Sequence, residues 1–330
     1  MSQVLRQVGI AGVGSYLPEQ ILTNEDLTKM VDTSNEWIVS RTGIRERRIA
    51  AADEATSDLA ARAALRALED AGIEPEAVDM IVMGTATPDM LFPSTACIVQ
   101  DKIGATRAAA FDLSAGCTGF IYALNIGQQF VASGQYNIVL VIGADCISRI
   151  LNWEDRNTCV LFGDGAGAVV LRPVQEGEGF LAFELGAEGS GGQHLMLPAG
   201  GSSKPATIET VKNKEHSVHM SGSDVFKFAV RAMSDSTLAI LQKTGLAVED
   251  VDILIPHQAN MRIIDAAAKR LELPPEKILV NVDRYGNTST ASIPLALEEA
   301  LRGGRIREGD NIVLAGFGAG LTWAAALLKW

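Results

Sequence analysis

Residues 65–82 read LRALEDAGIEPEAVDMIV and residues 238–255 read LAILQKTGLAVEDVDILI. At an offset of 173, Leu65, Leu68, Gly72, Glu76, Val78 and Asp79 fall on Leu238, Leu241, Gly245, Glu249, Val251 and Asp252. The tetrapeptide Asn137-Ile138-Val139-Leu140 recurs as Asn311-Ile312-Val313-Leu314 at an offset of 174. Two matches in the same order at nearly the same spacing mark an internal duplication, and 330 residues leave room for two copies of one unit. The halves are expected at 1–173 and 174–330.

Each copy alternates strand and helix patterns, which makes the chain α/β. Strands are expected at 7–13, 78–84, 108–113, 137–143, 166–172, 179–185, 251–256, 278–282, 311–316 and 321–328. Helices are expected near 56–71, 93–103, 118–133, 223–243, 260–271 and 290–302. Strands such as Ile138 to Ile142 are continuous apolar runs, as sheets covered on both faces require. Apolar residues at 47% and aromatics at only 5%, with 32 glycines, fit helices packed closely on sheets. The Gly- and Ser-rich stretch 186–218 lacks periodicity and reads as a long connection or lobe.

Cys117 lies in Ser114-Ala115-Gly116-Cys117-Thr118-Gly119, where an apolar strand runs into a helix whose apolar face is Phe120, Leu124 and Val131. Small flanking residues permit a sharp turn like a nucleophile elbow. A helix N-terminus there favours thiolate and offers backbone N–H groups to an oxyanion. Read alone, Cys117 could equally be an inert core thiol. Cys97, Cys146 and Cys159 sit inside apolar patterns and read as packing. In the second half a strand ends at Pro256 and His257 emerges from it; a lone histidine there is more often structural. Asn287, in Tyr285-Gly286-Asn287-Thr288-Ser289, would alone be a helix cap. Yet Asn287 occupies the strand-to-helix corner of its half that Cys117 occupies in the other. If the halves pack about a pseudo-twofold, both corners face one cavity.

The chain carries 28 Lys and Arg against 40 Asp and Glu, a formal charge of -12. That argues against nucleic acid or an anionic membrane as a partner of the whole surface. The four cysteines have no C-x-x-C spacing, so no zinc site or disulfide framework is expected. MSQVLRQVGI lacks the basic start and apolar core of a leader, and no apolar run reaches membrane-spanning length, so a cytoplasmic enzyme is expected. The Gly-rich GIAGVGS and GDGAGA do not give G-x-G-x-x-G between strand and helix, so a dinucleotide site is not expected.

The segments NEWIVSRTGIRERR, SAGCTGF, FGDGAGAVVL, HQANMRII, YGNTSTASIP and GFGAGLTW together resemble the β-ketoacyl-acyl-carrier-protein synthase III family, the initiating condensing enzymes of fatty-acid synthesis. The resemblance spans almost the whole chain. It implies the thiolase-like fold, five αβαβα layers built from two similar halves, usually as a homodimer. It implies a catalytic trio of Cys117, His257 and Asn287. Chain-elongating relatives use Cys-His-His and hydroxymethylglutaryl-CoA synthases use Cys, His and Glu, so Asn287 argues for the initiating branch or for plant-type polyketide synthases. The carried-over oxyanion donors are the backbone N–H groups of Cys117 and Ala319. At 319 the family often has glycine, so a left-handed backbone there would be strained.

By the same resemblance Trp37, Arg41 and Arg156 would contact coenzyme A, with Phe226 and Asn260 lining the pantetheine tunnel and Phe92 reaching the partner subunit's acyl pocket. Lys227, Arg262, Lys269 and Arg270 would form a local basic patch for acyl carrier protein; a solvated helix face is the plain alternative. No resident cofactor or metal is implied, since the acyl-CoA thioester is a substrate. Three other functions remain open: a condensing enzyme of secondary metabolism, a cysteine thioester hydrolase, and a non-catalytic binding protein.

Overall fold

The structure, a computed structural model, describes residues 5–330; the first four residues of the segment read for a leader lie outside the described residues. Nine main strands and six main helices carry the architecture. β1 (Val8–Tyr16), β2 (Met80–Gly84), β3 (Ala109–Leu113), β4 (Val139–Cys146) and β5 (Asp164–Pro173) form one sheet in the order β1-β5-β4-β2-β3. β6 (Gly179–Ala187), β7 (Ile253–Pro256), β8 (Asn311–Gly318) and β9 (Thr322–Lys329) form a second in the order β7-β8-β9-β6. Pairs β2/β3, β2/β4 and β7/β8 are parallel and the other neighbours antiparallel.

The helices are α1 (Thr56–Ala71), α2 (Thr95–Lys102), α3 (Gly119–Ala132), α4 (Gly222–Thr244), α5 (Met261–Leu271) and α6 (Ser292–Arg302). Each lies within a few residues of the span its periodicity predicts. Between the sheets, Phe120 and Leu124 of α3 and Ile293 and Leu297 of α6 share one buried cluster with Val82, Val141 and Val169 of the first sheet and Ile255, Leu314 and Ala326 of the second. Outside the first sheet, Leu59, Ala63, Ala67 and Leu68 of α1 pack on Ile81, Leu140 and Val170. α4 and α5 cover the second sheet, with Ile240 and Ile264 beside Leu254, Val313 and Leu327. The result is helix, sheet, helix, sheet, helix, the five layers expected.

The duplication is visible in the hydrogen bonds. Asp79 accepts from the Asn137 N–H at 2.8 Å at the head of the first sheet, and Asp252 accepts from the Asn311 N–H at 2.9 Å at the head of the second. Each carboxylate ties a strand start to its parallel neighbour. The halves also exchange chain: Leu27, Ile38 and Ile44 from the N-terminal segment, with Cys159 and Val160, lie in the core around α4 and α5.

One expected strand is absent. At 278–282 only a single bridge joins Leu254 to Ile278. The Gln258 amide takes the groups that a ladder would use: Nε2 donates to Leu279 O at 3.0 Å, and Oε1 accepts from Asn281 N at 2.9 Å and Val282 N at 3.2 Å. The chain turns instead into a short helix, Val282–Tyr285. Two features escaped the periodicity because they are short: the hairpin of Gln20–Thr23 with Glu46–Ile49, and the helix Asn35–Thr42 with its Ser34 cap. After the last two residues of β6, the 186–218 stretch holds a 3-10 turn, a two-residue strand and the short helix Ile208–Lys212.

Candidate active site

Three element ends converge on one cavity of about 370 Å³, lined by Cys117, His257 and Asn287. Cys117 sits in the β3–α3 turn and His257 follows β7. Asn287 precedes α6, held by its N–H on Leu161 O at 2.8 Å and its carbonyl on Gly163 N at 3.0 Å. The sequence placed Cys117 and Asn287 on corresponding corners of the two halves, and the fold brings those corners, with His257, to one space. A second cavity of about 380 Å³, lined by Ile147, Ile150, Leu197, Val218, Ser289 and Ala319 among others, also reaches Cys117. The sulfur therefore stands where two chambers meet.

Cys117 is 9% exposed, and burial pushes its thiol up to about 12, with the nearby Asp145 carboxylate pushing the same way. His257 is fully buried, and that desolvation pulls its pKa down to about 3, so the imidazole is neutral. Its Nδ1 lies 2.6 Å from Ser292 Oγ, which also accepts from the Gln258 N–H at 3.4 Å. With the Ser292 hydrogen directed at Nδ1, the ring proton is on Nε2. Nε2 is buried with no partner among the described residues, and such an orphan costs about 1–3 kcal/mol unless a ligand satisfies it. The edge of Phe317 packs on the ring at 5.3 Å between centroids. Asn287 Oδ1 accepts from the Ser289 N–H at 2.9 Å, which leaves Nδ2 as its available donor.

The backbone donors lie in two nested loops. A Cβ on Gly318 would come within 2.5 Å of Cys117 N, and one on Gly116, itself at φ 56°, within 2.5 Å of Ala319 N. Bare glycines let these loops touch. Thr322 Oγ1 bonds Ala115 O at 2.8 Å and Thr118 Oγ1 at 2.9 Å, clamping them together. The strain expected at Ala319 is absent, because the left-handed position falls one residue later, on Gly320 (φ 145°).

At the outer end of the first cavity stand Trp37, Arg41, Phe226 and Asn260. The Arg41 and Arg156 guanidiniums lie 5.9 and 5.2 Å from the Trp37 ring centre. Arg156 does not line the cavity; its Nη1 donates to Asp32 O at 3.0 Å. Asn260 is occupied as the α5 cap, accepting from the Arg262 N–H at 2.8 Å and donating to Arg41 O at 3.1 Å. Phe92 is 84% exposed and outside the chain's own cavity. Of the four expected basic residues, Arg262 lies over the Phe226 ring at 5.9 Å, close to the cavity. Arg270 is paired with Asp235 at 2.6 Å, and Lys227 and Lys269 are exposed.

Three residues that the sequence reading passed over complete the site: Ser289, Ser292 and Asp145. Fully buried Asp145, on β4, accepts from the Thr85 hydroxyl and from the N–H and hydroxyl of Thr87 and of Thr290, and so ties the Asn287 turn to the first half. The one available signal was the run of hydroxyls Thr288, Ser289, Thr290 and Ser292 at a helix start that needs a single cap.

The family described as 3-oxoacyl-[acyl-carrier-protein] synthase III matches residues 111–189, and its C-terminal counterpart matches residues 241–330. The β-ketoacyl-[acyl-carrier-protein] synthase III of Caldanaerobacter subterraneus is 61% identical over 98% of this chain and 97% of its own. Among solved structures, the synthase III of Thermus thermophilus is 52% identical with a TM-score of 0.91, covering 98% of this chain and 99% of its own. That of Aquifex aeolicus is 48% identical with a TM-score of 0.91, covering 98% of this chain and 100% of its own.

Proposed function

The chain belongs to the β-ketoacyl-acyl-carrier-protein synthase III family, the condensing enzymes that initiate fatty-acid synthesis, and on that premise we propose that Cys117, His257 and Asn287 carry out the condensation here. Cys117 sulfur attacks the carbonyl of a short acyl-CoA. The new S–C bond forms as the bond to the coenzyme A sulfur breaks, and free coenzyme A leaves with the proton that Cys117 gave up. Malonyl carrier protein then enters the same cavity. Loss of its carboxylate as carbon dioxide puts negative charge on the thioester oxygen, and the Nε2–H of His257 and Nδ2–H of Asn287 stabilise that enolate. The enolate carbon attacks the acyl group on Cys117, whose oxyanion is held by the Cys117 and Ala319 N–H groups. Collapse releases 3-ketoacyl carrier protein and the free cysteine.

The observation that carries this reading is the orphaned Nε2 of a neutral His257, in the cavity that also holds Cys117 and the Asn287 amide. A neutral donor pair fits an enolate. A hydrolase would need His257 as a base for water, and a pKa near 3 makes it a poor one.

The cavity end at Trp37, Arg41 and Phe226 is proposed for coenzyme A and pantetheine, and the chamber behind Cys117 for the acyl chain. Carrier protein would dock at Arg262, Lys227 and Lys269, with Arg270 first giving up Asp235. A homodimer is proposed through the unpaired edge of β3 and the exposed Leu91 and Phe92, at 82% and 84%. The reaction uses no resident cofactor. A cytoplasmic setting is proposed too, since the four cysteines are free thiols, as a reducing compartment keeps them.

The test is product identity. With acetyl-CoA and malonyl carrier protein the enzyme should release 3-ketoacyl carrier protein and one carbon dioxide per turnover. Release of free acetate without ketoacyl product would instead make it a thioester hydrolase.

A further inference from the structure

Among the described residues no cation stands beside the nucleophile. Burial is the main opposition to its ionisation and pushes the thiol up to about 12; the Ser289 hydroxyl and Cys117's own N–H favour the thiolate, the Asp145 carboxylate on β4 opposes it, and His257 beyond β7 is neutral and contributes no charge. The start of α3 favours the thiolate, but a partial charge at a helix end is a modest counterweight to full desolvation.

Among the described residues one side chain touches the sulfur with a donor. Ser289 Oγ lies 3.4 Å from Cys117 Sγ, with the hydroxyl donating. Ser289 is 2% exposed and lines the chamber behind Cys117. Its backbone is left-handed, at φ 52°, a conformation that side-chain-bearing residues seldom adopt. The turn is held in that shape from both sides. The Ser289 N–H is on Asn287 Oδ1, and the N–H and hydroxyl of the next residue, Thr290, are both on Asp145 at 3.1 and 2.7 Å. A glycine would hold this backbone without strain and still orient Asn287. What serine adds at this position is the hydroxyl on the sulfur.

We propose that Ser289 is a further catalytic residue, its hydroxyl donating to Cys117 Sγ and stabilising the thiolate that attacks the acyl-CoA. This rests on Cys117 being the nucleophile. The Cys117 proton leaves, the Ser289 hydrogen bond strengthens on the charged sulfur, and it weakens again once the sulfur becomes a thioester and a poor acceptor. The serine therefore serves the first half-reaction. Through its N–H it also orients the amide that serves the second, so one turn joins nucleophile and enolate pocket.

The experiment separates hydroxyl from backbone with Ser289→Gly, which keeps the N–H and suits φ 52°, and Ser289→Ala, which keeps the N–H and the Cβ and loses only the hydroxyl. The pH profile of Cys117 alkylation by iodoacetamide, followed on the Cys117 peptide, is measured with the rate of acyl transfer from acetyl-CoA and the rate of malonyl carrier protein decarboxylation without acyl-CoA. Both variants should move the alkylation profile to higher pH. Both should slow acyl transfer about 10-fold more than decarboxylation, the scale of one hydrogen bond to a charged group. An unshifted profile in both variants would overturn the proposal, as would equal loss of the two half-reactions. A Gly variant that behaves as wild type while Ala fails would overturn it too, by making the effect one of backbone. Wild-type protein whose Cys117 takes no acyl group would overturn the nucleophile reading, and this one with it.

Discussion

His257 is buried against Phe317 with Ser292 on Nδ1, and desolvation lowers its pKa to about 3, which keeps it uncharged at neutral pH. That has a thermodynamic consequence. The unfolded chain's histidine takes a proton near its ordinary pKa of about 6.5, and the folded one refuses it. Stability from this group is therefore intact above about pH 6.5 and declines as pH falls toward 3, by up to about 1.4 kcal/mol per pH unit. Urea midpoints for wild type and His257→Gln between roughly pH 7.5 and 5 should show a shallower decline in the variant; parallel declines would mean that His257 is not held neutral. At this scale residue chemistry alone left Cys117, His257 and Asn287 open to inert, structural and capping roles, and it was the family resemblance that named them as a trio. Ser289 and Ser292 were not legible. A serine's role depends on which way its hydroxyl points, and here a 3-10 turn sets that.

Element ends do the positioning. The β3–α3 and β8–β9 turns nest only because Gly116 and Gly318 lack side chains, so a methyl group on Gly318 would have to displace Cys117 N. Gly318→Ala should cost about 1–3 kcal/mol by overpacking and slow acyl transfer more than about 10-fold. Normal turnover in a fully stable variant would mean that the two loops do not need this approach. Strand and helix spans were legible where periodicity was sustained, as in α1 and α4. The expected strand at 278–282 failed for a reason that no period carries: one buried glutamine, Gln258, takes the Leu279 carbonyl and the Asn281 and Val282 N–H groups with its side chain. The concern over Ala319 dissolved similarly, since only the backbone shows that Gly320 takes the unusual φ.

For the whole molecule the repeat was the most informative feature of the sequence. Strand order β1-β5-β4-β2-β3 is matched by β6-β9-β8-β7, with the Leu254–Ile278 bridge where the fifth strand would be. The repeat could not show that residues 27–44 pack with the other half, because exchange of segments leaves no period. Nor does a repeat bear on assembly. The open β3 edge and exposed Leu91 and Phe92 predict a dimer by sedimentation; a monomer at micromolar concentration would contradict that assembly. Acyl transfer to one sulfur is the central step, and intact-mass measurement reads it directly. Wild-type protein mixed with acetyl-CoA should gain one acetyl group at Cys117, Cys117→Ser should gain none, and malonyl carrier protein should discharge the acetyl as ketoacyl product. No acetyl mass on wild type, or undiminished labelling of Cys117→Ser, would contradict it.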